Sequence, residues 1–201
     1  MQVQQRIYTP DEYLSIEESA TEKNEYHNGK IIPMTGGTID HNQIAGNLFV
    51  ALSLALKNQD YRVYFGDVRL WIPQEQRFTY PDVMVISGKP EYYNNRKDTI
   101  TNPLLIVEVL SESTKAYDRT EKFKAYSTIA TFQEYVLISQ TAQSIEQFSK
   151  TGNKKWLFRL YDEEDDAIEL ISIAAQVSLG NLYDKVEFEA PLESPEESPE
   201  A

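Results

Sequence analysis

No cysteine occurs in the chain, and histidine occurs only twice, as His27 and His41. The first absence excludes disulfides, thiol nucleophiles, zinc ribbons and iron–sulfur clusters; the second excludes a histidine-rich metal centre. Oxygen ligands remain, and they favour a hard ion such as Mg²⁺, with Mn²⁺ as a substitute. Long apolar runs are missing too: nothing approaches the roughly eighteen residues that a membrane span needs. The N-terminal Met1-Gln2-Val3-Gln4-Gln5-Arg6 also lacks the apolar centre of a secretory signal. These absences predict a soluble, cytoplasmic protein with no membrane partner. Walker A, GxSxG, HExxH and GxGxxG patterns are absent as well, which removes the commonest NTPase, serine hydrolase, zinc protease and dehydrogenase readings.

Positive charge is scarce. The 201 residues carry a net −13, which at first sight argues against a nucleic-acid partner, because phosphate binding draws on Lys and Arg. The acids are concentrated, however: six fall between Asp162 and Glu169, and four more follow Pro191. The remainder is nearly balanced. Lys89, Arg96 and Lys97, then Lys115, Arg119, Lys122 and Lys124, form local basic groups that either face a phosphate backbone or belong to an ordinary mixed surface.

Thr9-Pro10-Asp11-Glu12 has the form of a capping box with Pro at the first helical position, so a helix is expected from there to about Thr21. Asn28-Gly29 between two short extended runs is a hairpin signal, and the core sheet is expected to begin there. Ile44, Leu48, Leu52 and Leu56 recur at four-residue spacing and predict a long core helix over 41–57. Strands are expected at 62–65, 68–72, 81–87 and 104–110, and after a helix over 118–129, at 134–139, 144–149, 156–161 and 167–173, the last two extending the same sheet. This order indicates an α/β or α+β fold with a mixed central β-sheet flanked by helices, one domain over 1–190, and a disordered acidic, Pro-rich tail over 191–201.

Within the most apolar stretch, Leu104-Leu105-Ile106-Val107-Glu108-Val109-Leu110, one carboxylate interrupts what reads as a strand buried on both faces. An ionised acid buried without a partner costs several kcal/mol or more, so it calls for a cation. A second apolar strand, Tyr80-Pro81-Asp82-Val83-Met84-Val85-Ile86, begins with an aspartate. Alternation puts Glu108 on one face with Ile106 and Leu110, and Asp82 on one face with Met84 and Ile86. If the strands are neighbours, the two acids converge and can hold a divalent ion, supported by the Val109 carbonyl. The bland alternative is a buried ion pair or acids at strand ends.

The succession Tyr8-Thr9-Pro10-Asp11-Glu12-Tyr13, Glu25-Tyr26-His27-Asn28-Gly29-Lys30-Ile31, His41 to Leu48, Asp67-Val68-Arg69, Tyr80-Pro81-Asp82-Val83, Ile106 to Ser111 and Asp118-Arg119-Thr120-Glu121-Lys122 resembles the Uma family of restriction-endonuclease-like proteins, within the PD-(D/E)xK nuclease superfamily. The resemblance runs from about Tyr8 to Tyr183. It implies the restriction-endonuclease-like fold and a Mg²⁺-dependent endonuclease acting on DNA, with Pro81-Asp82 and Glu108 as the two halves of the motif and a homodimer by analogy. One departure stands out. The superfamily pattern has lysine two residues after the second acid, and here Leu110 occupies that position. The resemblance supplies Lys122 as a relocated catalytic lysine, against the alternative of an ordinary surface Asp118–Lys122 pair.

Glu25 is the next candidate, as an acid drawn into the site or as a solvated residue beside the Asn28-Gly29 turn. His41 is either a proton carrier or phosphate contact, or simply opens its helix. Asp67 and Arg69, two apart on one strand, either form a structural pair or line the cleft. Ser111 contacts phosphate or caps the helix that carries Lys122. Against the enzyme stands a second class: a nuclease-like fold without catalysis that serves as a nucleic-acid or protein binding module, a reading motivated by Leu110 and the acidic surface.

Overall fold

In the computed structural model, residues 6–112 and 114–188 are described; Ser113 and the expected tail over 191–201 lie outside them. Helix α1 (Pro10–Glu17) begins in the expected capping box, with the Thr9 hydroxyl accepting from the Glu12 N–H and the Glu12 carboxylate accepting from the Thr9 N–H. It ends four residues earlier than expected. Strands β1 (Asn24–His27) and β2 (Lys30–Pro33) pair around Asn28 and Gly29, both at positive φ, as a tight hairpin of this twist requires. Helix α2 (Ile39–Ala55) is capped by Thr38 and buries Ile44, Ala45, Leu48 and Leu52.

The chain continues through β3 (Tyr61–Phe65), β4 (Arg69–Ile72), β5 (Arg77–Thr79), β6 (Val83–Ser87), β7 (Thr99–Ile100) and β8 (Leu105–Leu110). A helical segment follows, made of α3 (Lys115–Tyr117), a π-turn over Asp118–Lys122 and α4 (Phe123–Tyr126). The remainder comprises β9 (Glu134–Ser139), β10 (Ile145–Gly152), β11 (Lys155–Tyr161), β12 (Ala167–Leu170), β13 (Ala175–Ser178) and the short α5 (Leu179–Leu182).

A mixed six-stranded sheet in the order β11-β10-β9-β8-β6-β3 forms the centre, parallel only between β8 and β9. The fold class expected from the sequence is therefore present, but two assignments need correction. The β1–β2 hairpin does not open the central sheet; it belongs to a second sheet, β2-β1-β5-β4-β7, because the three-residue β5 bridges β1 to β4. Nor does the segment after β11 extend the central sheet: β12 pairs with β13 in a separate two-stranded ribbon.

Strand β8 is buried along its whole length and separates two cores. Leu105, Val107 and Val109 pack with α2 and with residues of β6, β9 and the C-terminal ribbon. Ile106 and Leu110 face the other way, among Met84, Ile86, Leu70, Ile72, Tyr126 and Tyr135. The second sheet packs on this latter face through Leu70 and Ile72. Its outer side carries Tyr26, Trp71 and Phe78, an aromatic layer that α1 covers with its own Tyr13. That layer explains the second sheet: a hairpin with large rings on one face needs its own cover, and α1 supplies it.

Candidate active site

Glu108 lies on the face of β8 between the two sheets and is 2 % exposed. The antiparallel register of β6 and β8 pairs Val83 with Val107, so one step further sets Asp82 opposite Glu108. Asp82 is held from two directions: Oδ2 accepts the Val109 N–H at 2.7 Å, and Oδ1 lies 3.0 Å from His41 Nε2 at the start of α2. Gly37 packs so closely on the His41 ring that a Cβ there would fall 2.9 Å from Cδ2. Burial alone would lower the His41 pKa, but the hydrogen bond and charge of Asp82 outweigh it and raise the value.

Lys122 closes the site from the helical segment. Its ammonium stands 3.1 Å from Glu108 Oε1 and 3.0 Å from Asp118 Oδ1, with all three residues buried. The surface Asp–Lys pair weighed from the sequence is thus an interior one. The π-turn over 118–122 lies at this point, a local widening that often marks functional positions in helices. One turn on, Tyr126 donates to the same Glu108 oxygen at 2.7 Å. Burial favours the neutral lysine, yet Glu108, Glu25 and Asp118 overcome it and hold Lys122 charged, well above its ordinary pKa. Glu108 moves the opposite way for a carboxylate: burial pushes it up to about 8, opposed by Lys122 and reinforced by Asp82 and Asp118.

Glu25 reaches the same place from β1 and is 6 % exposed. Thr79 on neighbouring β5 donates to its Oε1, and Oε2 lies 2.7 Å from His27 Nε2. Burial would raise its pKa, but the His27 contact, the Lys122 charge and Thr79 together bring it down to about 2. His27 Nε2 also lies 3.0 Å from the Tyr117 hydroxyl, which accepts from Arg77 at 3.0 Å. A cavity of about 310 Å³ opens here, lined by Glu25, His27, Tyr117 and Lys122 together with residues from Ile32 to Thr35.

Four carboxylates, those of Glu25, Asp82, Glu108 and Asp118, lie around the Lys122 ammonium, and Asp82 and Asp118 reinforce the rise that burial imposes on the Glu108 pKa. A divalent cation fits this donor set in charge and in hardness. No three acids or imidazoles converge into a ready ligand cage among the described residues.

Of the candidates read from the sequence, Glu25, His41, Asp82, Glu108, Val109 and Lys122 meet here, Val109 through its N–H. Asp67 and Arg69 do not. Asp67 pairs with Lys23 at the surface. Arg69 lies on the face of β4 opposite Leu70 and Ile72, donating to Tyr80 at 2.9 Å beside the Tyr13 and Phe78 rings. Ser111 accepts the Thr114 N–H at 3.2 Å and its hydroxyl lies 2.9 Å from that of Thr114, shaping the turn into α3. The sequence reading missed His27, Thr79, Tyr117, Asp118 and Tyr126 as parts of the site. Three of them carried a usable signal: His27 is two residues from Glu25 on one strand face, and Asp118 and Tyr126 share a four-residue stripe with Lys122.

A mixed sheet with paired acids at its centre and a lysine docked on them defines a restriction-endonuclease-like protein. The chain belongs to the Uma2 family, described as "Putative restriction endonuclease", whose model matches residues 10–180. In Synechocystis sp. PCC 6803, the uncharacterised protein sll1609 is 42 % identical over 164 residues, covering 82 % of this chain and 93 % of the relative. A second, slr1290, is 36 % identical over 182 residues, covering 90 % and 93 %. The crystal structure of a putative nuclease belonging to DUF820 from Anabaena variabilis shares the fold, with a TM-score of 0.70 at 20 % identity, covering 88 % of this chain and 97 % of that one. No helix among the described residues is long and apolar enough to cross a membrane.

Proposed function

We propose that this chain is a Mg²⁺-dependent endonuclease, accepting Mn²⁺ as a substitute, that hydrolyses phosphodiester bonds in DNA. The observation that carries the reading is the buried Lys122 ammonium 3.1 Å from Glu108, which supplies from a helix the cation that Leu110 cannot supply from the strand. A charge stabilises a phosphorane-like transition state by position, whichever backbone element delivers it. Asp82 and Glu108 would hold the metal, with the Val109 carbonyl as a neighbouring backbone oxygen. When bound, the ion lowers the pKa of a water and offsets charge on the phosphate. Lys122 orients that water or steadies the developing negative charge. Glu25, fixed by Thr79 and His27, accepts hydrogen bonds at the edge of the cavity, and His41 fixes the rotamer of Asp82.

The experiment is cleavage of supercoiled plasmid by purified protein in Mg²⁺, in Mn²⁺ and in chelator, with Glu108→Gln and Lys122→Met alongside. Ion-dependent nicking by the wild type, reduced at least about 100-fold in both variants while circular dichroism stays native, is the expected outcome. Cutting by folded Glu108→Gln at the wild-type rate refutes the assignment. Tight, metal-independent DNA or protein binding without cleavage supports the non-catalytic module that Leu110 suggests.

A further inference from the structure

Strand β11 ends the central sheet, and its outer edge has no strand beside it among the described residues. An unpaired edge is normally short, charged or covered, because its free backbone groups recruit other strands. This one is seven residues long and shows three large apolar side chains beside the charged Lys155 and Arg159: Leu157, Phe158 and Leu160 are 53 %, 53 % and 54 % exposed. Phe158 rests on Phe148 of β10 with ring centroids 5.1 Å apart, so the exposed side chains sit on a firm base.

We infer that β11 pairs antiparallel with β11 of a second copy of this chain, joining two central sheets into one. The occupant follows from the order of charge along the strand. Lys154 and Lys155 precede the apolar run, and Asp162, Glu163 and Glu164 follow it, all of them exposed. A parallel partner would set lysine against lysine and acid against acid. An antiparallel copy sets each basic end against the other's acidic end.

The register is restricted as well. Paired residues must point to the same face, and a two-fold axis normal to the sheet therefore sets one residue opposite its own copy. With Phe158 at the axis, the two Phe158 rings meet, Trp156 faces Leu160, Leu157 faces Arg159, and Lys154 faces Asp162. The chain's net −13 opposes self-association in general, and an antiparallel copy would set cations of this edge against part of the acid cluster concentrated at 162–169.

The test is sedimentation equilibrium over a concentration series, using charge-reversed chains that leave the apolar residues and the proposed active site untouched. Wild type should reach twice 23.1 kDa. The double variant Lys154→Glu/Lys155→Glu, and separately Asp162→Lys/Glu163→Lys, should each associate at least about tenfold more weakly alone, since each now opposes like charges. Mixed one to one, the two variants should associate as tightly as wild type. A wild type that stays monomeric throughout overturns the inference. So does a dimer whose strength neither variant changes, or a mixture no tighter than the variants alone.

Discussion

Replacing Glu108 with Gln should make the protein more stable while removing the proposed activity. In the folded chain the Glu108 carboxyl is pushed up to about 8 from 4.5, so between those values the native state holds a proton that the unfolded chain releases. The unfolded state then binds fewer protons, and stability falls as pH rises through that window. One pKa unit corresponds to about 1.36 kcal/mol, which makes the ionisable acid cost about 3 kcal/mol at pH 7 relative to a neutral isostere. Gln is that isostere. Its carbonyl oxygen can keep the contacts that Glu108 Oε1 makes with Tyr126 at 2.7 Å and Lys122 at 3.1 Å. For a chain of this length, about 3 kcal/mol is roughly 6–12 °C in melting temperature. Thermal and urea unfolding in chelator, from about pH 5 to pH 8, should show the two proteins close at the acid end and Glu108→Gln increasingly ahead towards the alkaline end. Added Mg²⁺ should then raise the wild type, by about 2.7 kcal/mol at a hundredfold excess over its dissociation constant, and leave the variant unmoved. A Glu108→Gln protein less stable than wild type at pH 7, or a stability gap that does not widen with pH, would refute the account of Glu108 as an acid held at a cost for the sake of a cation.

Other perturbations test neighbouring parts of the site. Glu25, held down at about 2 from 4.5, contributes about 3 kcal/mol that is present above pH 4.5 and lost as pH falls towards 2; Glu25→Gln should flatten that acid limb in urea titrations. Tyr126→Phe leaves Glu108 one donor short and should cost about 1–3 kcal/mol by chemical denaturation, with the apparent Glu108 titration moving further up. Gly29→Ala should destabilise by about 1 kcal/mol or more, since its φ is +94° and the new Cβ would fall 2.5 Å from Ile7 Cγ2. Because that turn ends the strand carrying Glu25 and His27, the proposed nuclease activity should drop in parallel with the melting temperature.

Much of this site could be read from residue order, and the parts that could not have physical reasons. Glu108 was conspicuous because a lone carboxylate in a fully apolar strand has no innocent explanation, and period-two alternation placed it on the same side as Asp82 once the strands were neighbours. Its lysine was harder. Asp118 and Lys122 at four-residue spacing look the same whether they face solvent or protein; only the packing of α4 through Tyr126 and Ala125 against the even-numbered side of β8 decides it. The two-sheet division was hidden because β5 is only Arg77-Phe78-Thr79, too short to show alternation, although it ties the hairpin to β4 and brings Thr79 to Glu25. Asp67 and Arg69 illustrate the converse: their spacing is that of a shared strand face, but Asp67 lies before β4, so the two diverge.

Because Lys122 is delivered by a segment packed on the sheet, and not by β8 itself, the ammonium and the acids Glu25, Asp82 and Glu108 belong to different pieces of the molecule. Loosening of 115–126 alone would carry off the ammonium, Asp118 and the Tyr126 hydroxyl together and leave those three acids on an otherwise intact scaffold. Activity would then be extinguished by a partial opening far less costly than global denaturation, visible as early amide exchange in that stretch while the strands stay protected.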